Sequence, residues 1–169
     1  MADRQHRIDA IRHIVYEYGN LMAAGHYSVH GQPPWRTNCD DAFLLGCRKL
    51  GDFLHDEGTG DDVLSRDYLS PNLVQRWDLP IWKKEWRRVM NKHLAHITYA
   101  RVSYSGQEWN HQIWVPKLLR EFNSAWWDFR EAVSDPDYRV EFDQQVEACQ
   151  TKDGFTREDG SININLARY

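Results

Sequence analysis

Residues 112–133, QIWVPKLLREFNSAWWDFREAV, place Val115, Leu118, Leu119, Phe122, Ala125, Trp126 and Phe129 at intervals of three and four. That spacing keeps one apolar stripe on an α-helix; a strand, whose sides alternate at every residue, would scatter it over both faces. The same period recurs in three further segments. Ile8, Ile11, Val15, Tyr18, Leu21 and Met22 predict a helix from Asp3 to about Ala24, with Gly25 as its stop. Ala42, Phe43, Leu45, Gly46, Leu50, Phe53 and Leu54 predict a second, capped by Thr37 or Asn38, with Asp40 and Asp41 in its first turn, running to about Glu57. Trp82, Trp86, Val89, Met90, Leu94 and Ile97 predict a third, opened by Pro80 and continuing to about Tyr99. After Asp135-Pro136, a shorter fifth helix is expected over Tyr138 to Cys149. Segments of this length and pattern specify an all-α chain, a bundle of four to five helices.

The connections follow from turn residues. Residues 26–36, with Gly31, Pro33 and Pro34, predict a loop, flanked by a solvent-exposed His26 and His30. Residues 61–79 carry Val63, Leu64, Tyr68, Leu69, Leu73 and Trp77 broken by Ser70-Pro71, which predicts short helical turns laid over the bundle. At the end, Ile162, Ile164 and Leu166 alternate with Asn163 and Asn165, the period of a short strand or extended tail. Residues 1–169 are therefore expected to form one helical domain, with 151–169 as an irregular or strand-like tail.

Composition bounds the class. A chain of 169 residues, 41% hydrophobic and 27% charged, can bury a core without staples and is not of disordered composition. Its apolar runs are too short for a membrane span, and residues 1–7 lack the apolar stretch of a secretory signal, so a cytoplasmic protein without membrane contact is expected. Cys39, Cys47 and Cys149 form no CxxC pair and fit free buried thiols in a reducing compartment. Eight Trp in so polar a chain predict that part of the set lies at an interface, and hence a homodimer.

The charge is uneven. Residues 80–101 carry Lys83, Lys84, Arg87, Arg88, Lys92 and Arg101 against Glu85, a balance of +5, on a chain whose net charge is -4. One reading is a solvated face paired with the acidic second helix and C-terminal region. The other is a phosphate site: Arg88, Lys92 and His96 are successive i+4 neighbours, so two cations and an imidazole share a stripe. An imidazole titrating near neutrality can take the proton of a ribose 2'-OH or protonate a leaving oxygen, while a cation stabilises charge on phosphorus. That is metal-independent RNA cleavage. On this reading His96 stands in a cleft, not sealed among Trp82, Trp86 and Ile97.

Asn91-Lys92-His93-Leu94-Ala95-His96-Ile97-Thr98, together with Leu44-Leu45-Gly46-Cys47-Arg48-Lys49-Leu50 on an earlier helix, resembles the HEPN (higher eukaryotes and prokaryotes nucleotide-binding) superfamily, and its small bacterial members most. The resemblance implies a four- or five-helix bundle, often dimeric. Its activity is commonly that of a toxin–antitoxin or phage-defence ribonuclease, whose motif is Arg, a polar residue, three to five more, then His. It places Asn91 at the polar position and His96 at the histidine, with Met90 where the family has arginine. A second alignment takes Arg88 and His93, and then Val89 fills the polar position. The implied catalytic set is His96, Asn91 and Arg88, with Lys92, Arg87, His93 and Arg101 toward phosphate or RNA, and neither metal nor cofactor. Non-catalytic relatives imply the alternative, a nucleotide, RNA or protein-binding module. Partners implied by the family are an antitoxin or a nucleotidyltransferase.

Other chemistries have weaker sequence support. His93 and His96 can make half a metal site, completed by His55 and a carboxylate such as Asp52 or Glu57, but the chain lacks the two Glu-x-x-His motifs that a di-iron bundle needs. There is no GxGxxG, P-loop, HExxH or GxSxG.

Overall fold

The computed structural model describes residues 3–32, 35–55, 58–73, 77, 79–82, 87 and 111–151. Four long helices carry them: α1 (Arg4–His30), α2 (Trp35–Leu54), α3 (His111–Ala132) and α4 (Pro136–Thr151). A single 3-10 turn lies at Ser65–Asp67, and no strand occurs among the described residues. The chain is an all-α bundle. Its predicted tail, residues 152–169, lies outside the described residues, as do most of the third predicted helix and the segment up to Asn110.

Pairings along the helices give their directions. Glu17 meets Lys49 and Ser28 meets Asp40, so α2 runs antiparallel to α1. Tyr18 meets Asn123 and Val29 meets Gln112, so α3 is also antiparallel to α1. Trp126 and Phe129 both contact Phe142, while Arg130 holds Asp143 at 2.9 Å, which folds α4 back along α3.

The predicted stripes form the core. Ile11, Val15, Tyr18 and Leu21 of α1, Phe43, Leu50 and Leu54 of α2, and Val115, Leu118, Phe122, Trp126 and Phe129 of α3 are all buried. Ala42 and Leu45, placed in the α2 stripe by spacing, instead face solvent. The core is mostly aromatic, and Phe129 lies at its centre, with ring contacts to Phe53, Trp77, Trp126 and Phe142 between 5.1 and 5.9 Å. Trp77, Trp82 and Trp126 are buried there, and Trp114 and Trp127 pack at its margin. Trp77, Trp82 and Trp126 thus find a place inside one chain, while Trp114 and Trp127 stay partly exposed.

Helix ends depart from expectation. Gly25 does not stop α1, which continues to His30; a Cβ at Gly25 would meet Leu119 Cδ2 at 2.7 Å, so the missing side chain lets α3 approach. The terminating residue is Gly31, whose N–H donates to the Tyr27 carbonyl at 2.7 Å. His26 and His30 therefore belong to the last two turns of a helix, not to a loop; His26 is half-buried and His30 exposed. α2 begins at Trp35, ahead of the predicted caps, and ends at Leu54, short of Glu57. Asp40, expected only as a first-turn acid, accepts the Ser28 hydroxyl and ties α2 to α1. α4 starts at Pro136, where the missing N–H costs nothing, and Asp135 accepts the Asp137 N–H at 2.9 Å.

In residues 61–79, Leu64, Tyr68, Trp77 and Leu79 are buried, while Val63 and Leu73 are exposed. The Tyr68 hydroxyl donates to the Arg7 carbonyl at 2.9 Å, and Arg7 donates to the Asp67 carbonyl at 3.0 Å, which pins this connection to α1. No disulfide joins Cys39, Cys47 and Cys149; of the three expected buried thiols only Cys47 is buried, and burial pushes it well above its ordinary range, while Cys39 and Cys149 are partly exposed. No helix among the described residues is long and apolar enough to cross a membrane.

Candidate functional site

The basic segment is anchored at its beginning. Helical backbone resumes at Pro80, and the N–H groups of Ile81 and Trp82 donate to Glu121 Oε1 of α3, at 2.9 and 3.4 Å. The first N–H groups of a helix have no partner within it, and a carboxylate placed there satisfies them and complements the positive end of the dipole. Glu121 is thus a cap supplied from another helix. Trp82 then locks the contact: its ring lies 5.7 Å from Phe122, and its indole nitrogen would sit 2.3 Å from any Cβ at Gly51 of α2. Only glycine accommodates an indole at that distance.

Of the predicted site residues, Arg87 is the one described. Its guanidinium lies 3.8 Å from Asp52 Oδ1, and Arg48 approaches the other carboxylate oxygen at 3.9 Å. Burial raises the pKa of Asp52, Arg87 and Arg48 oppose that shift, and Asp62 adds to it. Arg87, the one cation of the basic segment described, is thus paired with an acid of the second helix. Arg88, Asn91, Lys92, His93, His96 and Arg101 lie outside the described residues. So does Glu57 of the considered metal set, and among the described residues no group of three His, Cys, Asp or Glu side chains is placed to hold a metal ion.

A second constellation goes beyond the sequence expectations. Between the last turns of α1 and the first half of α3 lies a cleft of about 250 Å³, with Met22, Gly25, Val29, Pro116 and Leu119 as its apolar wall and His26, His30 and Arg120 as its polar edge. The two imidazoles are i, i+4 neighbours with ring centroids 4.8 Å apart. Burial, and then the adjacent His30, hold the pKa of His26 below its ordinary value. Arg120 turns its Nε–H to the Pro116 carbonyl at 3.3 Å. The i, i+4 histidine pair is visible in the sequence, but only with α1 continued past Gly25 do the two share a helix face. A further cleft of about 230 Å³, beside Ala10 and Phe53, has its lysine neutralised: Lys49 pairs with Glu17 at 2.7 Å.

Comparison of the chain with protein-family models, with curated proteins and with solved structures finds no match in any of the three.

Proposed function

We propose that this chain is a HEPN-like helical protein of a toxin or phage-defence system that cleaves single-stranded RNA without a metal. His96 takes the proton of the ribose 2'-OH or gives one to the departing 5'-oxygen. The 2'-oxygen displaces that oxygen from phosphorus, leaving a 2',3'-cyclic phosphate and a 5'-hydroxyl. Asn91 and Arg88 hold the scissile phosphate, and Lys92, Arg87, His93 and Arg101 supply the surrounding donors and charge. The observation that supports this reading is the seating of a +5 segment on an all-α bundle through Glu121 and Trp82. A firm base at Pro80 is what a helix needs to present a row of cations and an imidazole in fixed order.

Met90, at the family's arginine position, favours a second reading: a cytoplasmic binding module for RNA, a nucleotide, an antitoxin or a nucleotidyltransferase, with the active site lost. Either form can act as a homodimer. The test is incubation of the purified protein with single-stranded RNA in EDTA. The ribonuclease reading expects cleavage, with His96→Ala lowering the rate by on the order of 10² to 10⁴. RNA bound but never cleaved selects the module, and neither binding nor cleavage refutes both.

A further inference from the structure

None of the described residues that line the cleft between α1 and α3 belongs to segment 80–101, so the ligand chemistry they set is argued separately from the ribonuclease reading. Protein interiors are close-packed, with few voids larger than a water molecule, so about 250 Å³ between two long helices is not ordinary packing. A dry cavity of about 150 Å³ already accepts benzene, so this one has room for a single ring or a short branched chain. The wall suits such a group, because Met22, Val29 and Leu119 offer only apolar atoms.

The edge is polar in one sense only. Arg4, Arg48, Lys49, Arg87 and Arg130 each reach a carboxylate, whereas Arg120 reaches none among the described residues. Glu121, its neighbour in the sequence, accepts from the backbone of Ile81 and Trp82, and Asp40 accepts from Ser28. With its Nε–H on the Pro116 carbonyl, Arg120 has both terminal nitrogens left for a ligand. His26 and His30 add ring N–H donors from the opposite wall, so three donor groups line one rim without a facing anion among the described residues.

We propose that this cleft binds a small anion with an apolar body, a phosphate monoester of a single aromatic ring or short alkyl chain, the ring against Val29 and Leu119 and the phosphate against Arg120, His30 and His26. A phosphate matches the rim better than a carboxylate because it presents three acceptor oxygens and nearly two charges.

The test uses phenyl phosphate, inorganic phosphate and benzyl alcohol as probes of the full chain, followed by calorimetry and by the ring-proton NMR signals of His26 and His30. Phenyl phosphate should bind saturably, and more tightly than either fragment by about tenfold or more, the return on burying one ring or on one charge-assisted pair. Arg120 and His30 are exposed, so Arg120→Gln and His30→Gln remove donors without touching the core. The first should weaken phenyl phosphate by about tenfold, with circular dichroism unchanged. Val29→Phe, which fills the cleft, should abolish binding by a different route. Equal affinity for phenyl and inorganic phosphate, binding insensitive to both Arg120→Gln and Val29→Phe, or no saturable binding of phenyl phosphate would each overturn the proposal.

Discussion

Where Tyr18 of α1 meets α3, its ring stacks on Trp126 at 4.4 Å and its hydroxyl donates to Asn123; two turns further along α1, Gly25 meets Leu119 beside the cleft of His26, His30 and Arg120. The same pair of helices is sealed at one end and open at the other. At the sealed end large rings fill the space and make edge-to-face contacts, so each side chain depends on its neighbours' positions. At the open end a glycine lets the backbones approach while the side chains above it stop short of filling the gap. Stability and ligand chemistry are thereby separated along one helix pair: Phe129 and its ring contacts belong to the first, Arg120 and the histidines to the second.

The sealed end should carry the largest single effect. Phe129→Ala removes the central ring of the cluster and should cost about 3–5 kcal/mol, enough to lower the midpoint of thermal unfolding by roughly 6 °C or more. A loss below about 1 kcal/mol would mean that the cluster repacks freely and that the contrast between the ends is false.

Glycine substitutions sharpen the comparison at intermediate scale. Gly51→Ala drives a Cβ into the indole of Trp82, which is fully buried and held against Phe122, and should cost about 1–3 kcal/mol. Gly25→Ala meets only the end of the Leu119 side chain, which can turn into the open cleft, while alanine gains helix propensity. Its net effect should fall within about 0.5 kcal/mol of zero. Denaturant midpoints of the two variants measure the difference, and equal losses would show that the cleft gives Leu119 no room.

The smallest effect is a pH dependence assigned to the open end. His26 has its folded pKa below the ordinary 6.5, from burial first and from His30 second, with Arg120 across the cleft. The unfolded chain therefore binds that proton more readily, and stability is lost as pH falls through about 6.5 toward the folded value. In His26→Gln that part of the slope should vanish. An unchanged slope between about pH 7.5 and 5.5 would place the titration elsewhere.

The helices were legible in the sequence because their stripes repeat every three to four residues whatever surrounds them. Their ends were not, because the same residue serves opposite purposes. Gly25 carries the signal of a helix stop, yet acts as a point of close approach that depends on Leu119, ninety-four residues away. Asp40 resembles a first-turn acid, and its partner Ser28 lies in what spacing marked as loop. Tyr68 and Trp77 are buried, but the connection that carries them holds one 3-10 turn among its described residues, too short to leave a period in the sequence. For the candidate site, the charge contrast of residues 80–101 was plain, and Arg87 does lie within reach of Asp52 on the second helix. Glu121 as a cap for Ile81 and Trp82 could not be seen, since a cap supplied by another helix leaves no local pattern. The Arg120 cleft was hidden for the same reason.

The central functional claim is that RNA phosphates meet segment 80–101 and not the open end of the α1–α3 pair. The salt dependence of binding tests it most directly. A single-stranded RNA with 2'-O-methyl riboses cannot be cut by attack of its own 2'-oxygen, and log K should fall linearly with log salt in proportion to the phosphates engaged. Lys92→Ala should lower the magnitude of that slope by about 0.7, the share of one phosphate on a single strand, while Arg120→Gln leaves it unchanged. A slope altered by Arg120→Gln and not by Lys92→Ala, or binding with no salt dependence, would contradict the account.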